Sequence, residues 1–387
     1  MLTGADPRRE LLLQFLDAAL ARVSGRSVTR GALATRSDPR PVHLASVGKA
    51  AANMALGAHD ALGPALERAL IITKDEHVDT GTRALPGLEI LEAGHPVPDA
   101  RSLAAGERLL RWAAELPAGV QPLLLVSGGA SSVVEALVEG ATLDDLVRLN
   151  TSGLATGLDI AALNARRAGL SRLKAGGFAQ YLAGRRATAL FISDVPGDDP
   201  NVIGSGLMGT FGDARDDIER VVVASVAAAV AAAREAAERT GLKAVADPAR
   251  FEGDATRLAV RFVHELHHGE PQVLVWGGES TVTLPEHPGR GGRNQHLALA
   301  AARLIAGHDD LLFMAVGTDG TDGATTDAGA IVDGDTCARL ALAEVDVDRA
   351  LSAADAGTAL AASGDLVNTG PTGTNVGDLV IGLKLSR

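Results

Sequence analysis

The sequence predicts an α/β protein with two domains, and three observations lead to this prediction. The chain has 387 residues, more than a single hydrophobic core usually organises. Short apolar runs alternate with longer helical patterns through the first half. Clusters of glycine follow several of these runs, as in loops at strand ends. We therefore expect a Rossmann-like parallel sheet with helices on both faces in an N-terminal domain, followed by a smaller C-terminal α/β domain.

The alternation in the first half predicts four strands and the helices between them. The strands are expected at residues 42–47, 69–73, 123–126 and 188–193. The helices are expected at residues 49–62, 102–115 and 143–152. An amphipathic helix is predicted ahead of them, because charged residues from Arg8 lead into leucines that continue to Leu20.

The second half is predicted to begin with a long helical segment, residues 213–268, which includes the run 217–238. A His-Gly-Glu-Pro turn ends this segment. The pattern of strands and helices then resumes, with strands at 273–276, 281–284, 311–316 and 379–383 and helices at 294–305 and 335–343. We accordingly expect an N-terminal domain of residues 1–268 and a C-terminal domain of residues 269–387.

Charge and cysteine content restrict the partners and the compartment. The formal net charge is -12 and there is no long basic block, so neither nucleic acid nor a membrane is an expected partner. The one cysteine, Cys337, leaves no disulfide framework within the chain and suits a reducing cytoplasm. The longest apolar run, 221–233, is shorter than the ~20 residues that cross a bilayer and is predicted to be a buried helix.

Two loops of the first half have the composition of anion-binding turns. Gly48 and Lys49 follow the first strand and precede a helix, where backbone N–H groups and a lysine can face a phosphate. A surface lysine is the simpler alternative. The segment Ser-Gly-Gly-Ala-Ser-Ser at 127–132 follows another strand in the same way. Its alternative is a tight turn in which a serine caps the next helix.

A third loop places three carboxylates after the strand at 188–193. Asp194 is expected at the carboxyl end of this strand, the edge at which open α/β sheets bind ligands. Asp198 and Asp199 follow within a turn that is also rich in proline and glycine. Phosphoryl transfer needs Mg²⁺ and often a carboxylate that accepts the hydroxyl proton, whereas such a turn is also ordinary loop chemistry.

The C-terminal half adds four more glycine-rich loops. They are Trp-Gly-Gly-Glu-Ser-Thr at 276–281, Gly-Arg-Gly-Gly-Arg-Asn-Gln at 289–295, Gly-Thr-Asp-Gly-Thr-Asp-Gly at 317–323 and Thr-Gly-Pro-Thr-Gly-Thr-Asn at 369–375. Arg293 stands at the start of a predicted helix, where an arginine can hold a phosphate or a carboxylate with two hydrogen bonds. Each loop alone could be a turn, but together they indicate phosphate chemistry.

Other chemistries are poorly supported. No G-x-S-x-G elbow surrounds the serines at 127–132, which argues against a serine hydrolase. His264, His267 and His268 are read as a solvated helix face rather than a metal site. His95 lies in an extended turn in which Asp99 is expected to cap the next helix.

At these loops the sequence resembles the glycerate 2-kinase family with a C-terminal MOFRL domain. The motifs that carry the resemblance run in the family's order along nearly the whole chain. They are SVGKAA at 46–51, GHPVPD at 94–99, SGGASS at 127–132, SRLKAGG at 171–177, ISDVPGDDP at 192–200, GGES at 277–280, GRGGRNQHLALA at 289–300, GTDGTDG at 317–323 and TGPTGTN at 369–375.

The resemblance implies transfer of the γ-phosphoryl group of ATP to the 2-hydroxyl of D-glycerate, with Mg²⁺, in a cleft between two domains. It implies that Lys49, Asp194 and Arg293 are catalytic. Lys49 and Arg293 would neutralise the transferring group, and Asp194 would accept the hydroxyl proton. The expected substrate- and phosphate-binding residues are Gly48, Ser127, Gly128, Gly129, Ser131, Asn164, Arg167, Lys174, Gly278, Glu279, Asp319, Gly320, Thr374 and Asn375. Asp198 and Asp322 are candidate metal ligands.

Two rival functions stay open at this point. Some members of the family are named hydroxypyruvate reductases, but the loop after the first strand lacks the G-x-G-x-x-G fingerprint of a dinucleotide site. A sensor of sugar acids or nucleotides on the same scaffold is the second rival, since fold does not determine activity. The oligomeric state is also open, with a homodimer as one alternative.

Overall fold

The computed structural model describes residues 6–155, 166–212 and 216–385. Their contacts divide into two compact units. The parallel-sheet unit contains Ser24–Ser225 and the short segment Gly373–Asn375. The mixed-sheet unit contains the segment that ends at Val23, the segment Val226–Thr372 and the segment that begins at Val376. Each unit has its own sheet and its own hydrophobic core.

The parallel-sheet unit is built on six parallel strands in the order β3-β2-β1-β4-β5-β6. The strands are β1 (Val42–Val47), β2 (Leu66–Lys74), β3 (Leu88–Ala93), β4 (Gln121–Val126), β5 (Ala187–Ile192) and β6 (Ile218–Ala224). Every residue of β1 and β4 is buried, as expected for strands covered on both faces. The predicted α/β class and the predicted parallel sheet are confirmed.

Helices fill the connections between these strands. They are α3 (Ala51–Leu62), α4 (Ala100–Ala114), α5 (Ala130–Val133) and α6 (Leu143–Ala155), whereas α2 (Gly25–Leu33) precedes β1. Asp99 caps α4 by accepting hydrogen bonds from the backbone N–H groups of Arg101 and Ser102, as the sequence predicted. The helices α3 and α4 follow β1 and β3, which gives the alternation of a doubly wound fold.

The strand order places the loops after β1 and β4 side by side. The chain winds outward from β1 toward β3 and in the opposite direction from β4 toward β6, so the direction reverses between β1 and β4. Val47 and Val126, the last residues of these strands, are register partners. Ligands of open α/β sheets bind at such a reversal, outside the carboxyl ends of the strands.

The mixed-sheet unit is built on seven strands. They are β7 (Ala244–Ala246), β8 (Phe251–Asp254), β9 (Val273–Thr281), β10 (Leu311–Gly317), β11 (Gly329–Asp333), β12 (Leu366–Val367) and β13 (Asp378–Lys384). The order is β12-β11-β10-β13-β9-β7, and β8 also pairs with β9. The pairs of β13 with β9 and β10 are antiparallel, whereas β7 and β8 run parallel to β9.

The helices of this unit come from both ends of the chain. They are α1 (Pro7–Arg22), α7 (Val226–Arg239), α8 (Ala255–His268), α9 (Arg293–Leu304), α10 (Thr336–Leu342), α11 (Val347–Ser352) and α12 (Ala356–Ser363). The helix α1 packs on α7. Arg9 of α1 also bonds to the carboxylates of Asp333 and Asp365, at 3.1 and 2.9 Å. These contacts hold the first helix in the mixed-sheet unit.

The prediction of an almost wholly helical segment at 213–268 was wrong. The strand β6 occupies its first part, and β7 and β8 lie between the helices α7 and α8. The β-branched Val221 and Val222 pair with β5, and β6 forms the edge strand of the parallel sheet. The run 221–233 is therefore the end of a strand followed by a helix, not one buried helix.

The compact units also divide the chain differently from the predicted domains. The sequence places a boundary between residues 268 and 269, whereas the chain passes into the mixed-sheet unit at Val226. The reason is packing, since α7 contacts β9 and α8 contacts β9, β13 and α9. In the part of the chain that the structure describes, no helix has both the length and the apolar character needed to cross a bilayer.

Candidate active site

The loops after β1 and β4 are joined by backbone hydrogen bonds at the reversal of strand order. The N–H of Lys49 donates to the carbonyl of Gly128 at 2.9 Å, and the N–H of Ser127 donates to the carbonyl of Val47 at 3.0 Å. Gly48 has a φ of 118°, and a Cβ atom at this position would overlap the Ser127 side chain. The glycine thus allows the two loops to approach each other.

The side chain of Ser127 supports the start of α3. It is fully buried, and its Oγ accepts a hydrogen bond from the N–H of Ala50 at 3.0 Å. This is a capping contact made by a residue from the neighbouring loop. Gly129 has a left-handed φ of 84°, and Ser131 is half-buried in the short helix α5.

Lys49, Gly129 and His95 are neighbours at this edge of the sheet. A Cβ atom at Gly129 would lie 3.0 Å from Cγ of Lys49 and 3.4 Å from Nε2 of His95. Lys49 itself is half-buried. The structure therefore places a lysine and an imidazole beside the turn that follows β4.

Asp194 follows β5 and is held by an amide from a distant part of the sequence. Nδ2 of Asn375 donates a hydrogen bond to Oδ2 of Asp194 at 3.0 Å. Gly128 lies against both groups, since a Cβ atom there would overlap Nδ2 of Asn375 and Oδ2 of Asp194. Asn375 is buried, as is its neighbour Thr374. The structure thus brings together the loops after β4 and β5 and the segment 373–375.

A buried ion pair joins two other parts of the parallel-sheet unit. Nζ of Lys174 lies 2.5 Å from Oε2 of Glu135, and the two side chains are 3% and 0% exposed. Burial lowers the pKa of Lys174, while the Glu135 carboxylate acts in the opposite direction. Burial likewise lowers the pKa of Arg167, again opposed by Glu135. Asn164, predicted from the same segment, lies outside the described residues.

Arg293 begins α9 in the mixed-sheet unit and is held by two carboxylates. Its Nε and Nη2 donate to Oδ2 and Oδ1 of Asp378 at 2.7 and 3.0 Å. Its Nη1 donates to Oε1 of Glu279, which follows Gly278 on β9. Burial would lower the pKa of Arg293, but Asp378 and Glu279 outweigh it and raise that pKa above its ordinary value. Arg293 is therefore a fixed cation.

Asp322 occupies the N-terminus of α9. Its Oδ1 accepts from the N–H of Asn294 at 3.1 Å, and its Oδ2 accepts from the N–H of Gln295 at 2.7 Å. No side chain of the N-cap residue, Gly292, can provide this contact, so Asp322 acts as the cap from another loop. Burial raises the pKa of Asp322 to about 7.

Asp319 and Gly320 follow β10 in a loop that packs on the segment 368–372. Oδ1 of Asp319 accepts hydrogen bonds from the N–H and Oγ1 of Thr321, at 2.9 and 3.1 Å. Gly320 has a φ of 87° and lies against the carbonyl of Gly370. Asp319 is buried. Buried polar groups need hydrogen-bond partners, and Thr321 in the same turn provides two of them.

The two candidate metal ligands lie in different surroundings. Asp198 is half-buried in the turn after Asp194, with a φ of 53°. Both oxygens of Asp322 already accept hydrogen bonds from α9. Within the described ranges, no three His, Cys, Asp or Glu side chains are grouped so that they could hold a metal ion.

The fold and these loops define a two-unit α/β protein in which a lysine and an aspartate follow strands and an arginine begins a helix, groups that are suited to phosphate chemistry. The family described as a domain of unknown function, DUF4147, matches residues 11–239. The MOFRL family matches residues 272–378. The chain belongs to the glycerate 2-kinase family, in which these two regions are combined.

Relatives and a solved structure agree with this assignment. The D-glycerate 2-kinase of Thermotoga maritima is 34% identical over 381 residues, which cover 88% of this chain and 90% of that protein. A protein of Agrobacterium vitis named as a hydroxypyruvate reductase is also 34% identical, with 96% of this chain and 93% of that protein covered. The crystal structure of Thermotoga maritima glycerate kinase superposes with a TM-score of 0.85 at 31% identity, covering 98% of this chain and 100% of that one.

Two residues of the site were missed by sequence reasoning, Asp378 and Asn294. Asp378 bonds to Arg293. Nδ2 of Asn294 donates to Oδ1 of Asp378 at 3.0 Å and to Oδ1 of Asp322 at 3.3 Å. A charged residue directly before the apolar run 379–383 was the available signal for Asp378. Its partner could not be read from the sequence, because the pairing of β13 with β9 is long-range.

Proposed function

We propose that this protein is a glycerate 2-kinase that transfers the γ-phosphoryl group of ATP to the 2-hydroxyl of D-glycerate. The observation that carries the proposal is the match to the Thermotoga maritima D-glycerate 2-kinase along 88% of the chain. The side-chain chemistry agrees with it, because Lys49, Asp194 and Arg293 all stand where a strand ends or a helix begins. The proposed location is the cytoplasm, because the proposed reaction uses ATP and because the single cysteine, Cys337, suits a reducing compartment.

Asp194 is the proposed acceptor of the proton of the glycerate 2-hydroxyl. The transfer forms a bond from the hydroxyl oxygen to the γ-phosphorus, breaks the bond to the ADP oxygen and releases the hydroxyl proton. The hydrogen bond from Asn375 holds the Asp194 carboxylate in one orientation. A general base must lie within hydrogen-bond reach of the proton that it takes, so a fixed orientation favours the transfer.

Lys49 and Arg293 are the proposed stabilisers of the transferring group. Charge in phosphoryl transfer is spread over the equatorial oxygens, and fixed cations stabilise it without reorganisation during the reaction. Arg293 fits this role because Asp378 and Glu279 hold its guanidinium group. Lys49 fits it because the lysine follows Gly48 at the reversal of strand order.

Mg²⁺ is proposed to enter with the nucleotide. Mg²⁺ in kinases is held by the substrate phosphates together with only one or two protein carboxylates. Asp198, in the same loop as Asp194, is the proposed carboxylate for this purpose. Asp322 is the weaker candidate, because its two oxygens already bond to α9. When bound, the ion would neutralise the phosphate oxygens.

The glycerate carboxylate is proposed to bind near Arg167. Arg167 and Lys174 bring two positive charges to a single carboxylate, Glu135. A guanidinium group can pair with a carboxylate through two parallel hydrogen bonds, which suits the carboxylate of glycerate. Lys174 would act mainly by holding Glu135, since the two side chains form a buried pair.

A product assay tests the proposal. Purified protein is mixed with D-glycerate, ATP and Mg²⁺, and enolase is added without phosphoglycerate mutase. Enolase signal means that 2-phosphoglycerate has been formed, which supports the proposed position of transfer. Release of ADP without enolase signal would point to the 3-hydroxyl or to ATP hydrolysis. Oxidation of NADH or NADPH with hydroxypyruvate, in the absence of ATP, would instead favour the activity named for the Agrobacterium vitis relative.

The proposed roles are tested by two substitutions and a matched control. We expect Lys49→Ala and Arg293→Ala each to lower kcat by about 100-fold or more, the usual scale for the loss of one preorganised charge. The exposed Lys243, which pairs with Glu270 on the surface, provides the control Lys243→Ala, which should retain wild-type activity. Near-normal rates in both active-site variants would contradict the roles.

A further inference from the structure

Asp378 is a buried carboxylate placed against the guanidinium group of Arg293. It is the first residue of β13 and is only 1% exposed. Its two oxygens accept hydrogen bonds from two different nitrogens of Arg293, at 2.7 and 3.0 Å. This two-point geometry fixes the plane of the guanidinium group as well as its distance.

The Asp378 carboxylate is itself held in place by two other parts of the mixed-sheet unit. Nδ2 of Asn294, in the first turn of α9, donates to Oδ1 at 3.0 Å. The N–H of Ser280, on β9, contributes a longer contact to Oδ2 at 3.4 Å. Each oxygen of Asp378 therefore has one donor from Arg293 and one from the surrounding backbone or side chains. The carboxylate cannot rotate without losing several of these bonds.

Arg293 keeps part of its hydrogen-bonding capacity. A guanidinium group has five N–H donors, and the bonds to Asp378 and Glu279 use three of them. Its side chain is 36% exposed, although Asp378 is almost completely buried. An ion pair with a purely structural role can be buried completely. A cation that contacts an anionic substrate must be partly exposed, as Arg293 is.

We propose that Asp378 is a positioning residue, which orients Arg293 for the transferring phosphoryl group. The proposal rests on the proposed kinase function, because the anion that Arg293 meets is the one that is transferred. Asp378 contacts no substrate in this proposal and acts only through Arg293. Positioning groups of this kind matter because a small displacement of a catalytic group strongly lowers the rate.

The first test compares Asp378→Asn with a matched control. We expect Asp378→Asn to lower kcat by about tenfold to 100-fold, with KM values for glycerate and ATP changed by no more than about threefold. The control is Asp365→Asn, because Asp365 is equally buried and also pairs with arginines, Arg9 and Arg339. It should keep the wild-type kcat. An equal loss of kcat in the two variants would overturn the positioning role.

The double variant separates positioning from an independent role. If Asp378 acts through Arg293, adding Asp378→Asn to Arg293→Ala should lower kcat no further. Added guanidinium ion should partly rescue Arg293→Ala, and the rescue should be lost in the double variant. A multiplicative loss of kcat, or rescue that does not depend on Asp378, would contradict the proposal.

A nuclear magnetic resonance measurement decides the question even if the kinase function fails. The Nε–H signal of Arg293, assigned by its disappearance in Arg293→Lys, should be sharp and slow to exchange in the wild type. It should broaden or vanish in Asp378→Asn and stay unchanged in Asp365→Asn. An inactive wild type with this pattern would overturn the kinase function alone. An unchanged signal in Asp378→Asn would overturn the positioning of Arg293.

Discussion

Nδ2 of Asn375 lies 3.0 Å from Oδ2 of Asp194, although 181 positions separate the two residues in the sequence. The contact lies within the parallel-sheet unit, because the segment Gly373–Asn375 packs there while the residues on either side of it belong to the mixed-sheet unit. The proposed base is thus oriented by a residue from a distant part of the sequence.

We expect Asn375→Asp to change the pH dependence of the reaction. The substitution keeps the shape of the side chain but replaces a donor with a second carboxylate beside Asp194. The like charge should raise the pKa of Asp194, so the rise of kcat with pH should move upward by about one unit or more. A pH profile of kcat measures this. Asn368→Asp, which adds the same charge in an exposed loop, should leave the profile unchanged, and an unshifted profile for Asn375→Asp would contradict the contact.

Gly128→Ala should lower the activity without straining the backbone. No left-handed φ is required at this glycine, but an added Cβ would overlap both Asn375 and Asp194. Displacing these groups should lower kcat by about 100-fold. Gly31→Ala is the control, because Gly31 lies in α2 with no atom within 4 Å of its Cβ position. Steady-state kinetics of both variants, with circular dichroism to compare folding, would check the expectation.

The pair of Lys174 and Glu135 should show a stability pattern typical of buried charges. Glu135→Leu alone leaves Lys174 as a buried charge without its carboxylate and should cost about 3–5 kcal/mol. Lys174→Met should cost less, because Arg167 also faces Glu135, and the double variant should cost less than Glu135→Leu. Urea unfolding measures these values. Lys243→Met, in the exposed pair with Glu270, should change stability by less than about 1 kcal/mol. Additive losses in the double variant would refute the pairing.

Asp322 should make the protein less stable as the pH rises toward neutrality. Its pKa is about 7 in the folded chain, against an ordinary value of 3.8. Between these values the folded state holds a proton that the unfolded state has released, so raising the pH favours unfolding. The resulting loss in the free energy of unfolding is on the order of 4 kcal/mol, and it is complete once the pH exceeds the pKa of the folded state. Unfolding of Asp322→Asn across pH 4–8 should lack this loss, and a pH dependence identical to the wild type would contradict it.

Four of the six strands of the parallel sheet could be predicted because they are strongly apolar, whereas β3 and β6 were missed. The predicted strand at 42–47 coincides with β1, and the prediction at 188–193 is shifted by one residue from β5. β6 was missed because only Ser225 separates this strand from the Ala-rich helix α7, without a glycine or proline between them. Without such a turn signal, the composition of a short apolar run does not show whether the run forms a strand or part of a helix.

The candidate site could be predicted in part for a similar reason. Loops at the carboxyl ends of parallel strands meet at one edge of the sheet, so the predicted strands already placed Lys49 and Asp194 at that edge. The contacts of Asp378 depend on antiparallel pairing in the second sheet, for which the sequence has no local signal. The capping of α9 by Asp322 also has no local signal, because Asp322 lies 28 and 27 positions from its two donors, Asn294 and Gln295.

β13 lies in the interior of the mixed sheet, between β10 and β9, yet it follows every other described strand in the sequence. During synthesis, β9 and β10 therefore leave the ribosome long before the strand that must separate them. Until then each presents an unpaired, apolar edge, the kind of surface that aggregates or is captured by chaperones. A premature stop codon only a few residues before position 378 would release a nascent chain whose second sheet cannot be completed. Quality control in the cell should recognise such a product far more readily than one that lacks an equally short surface segment.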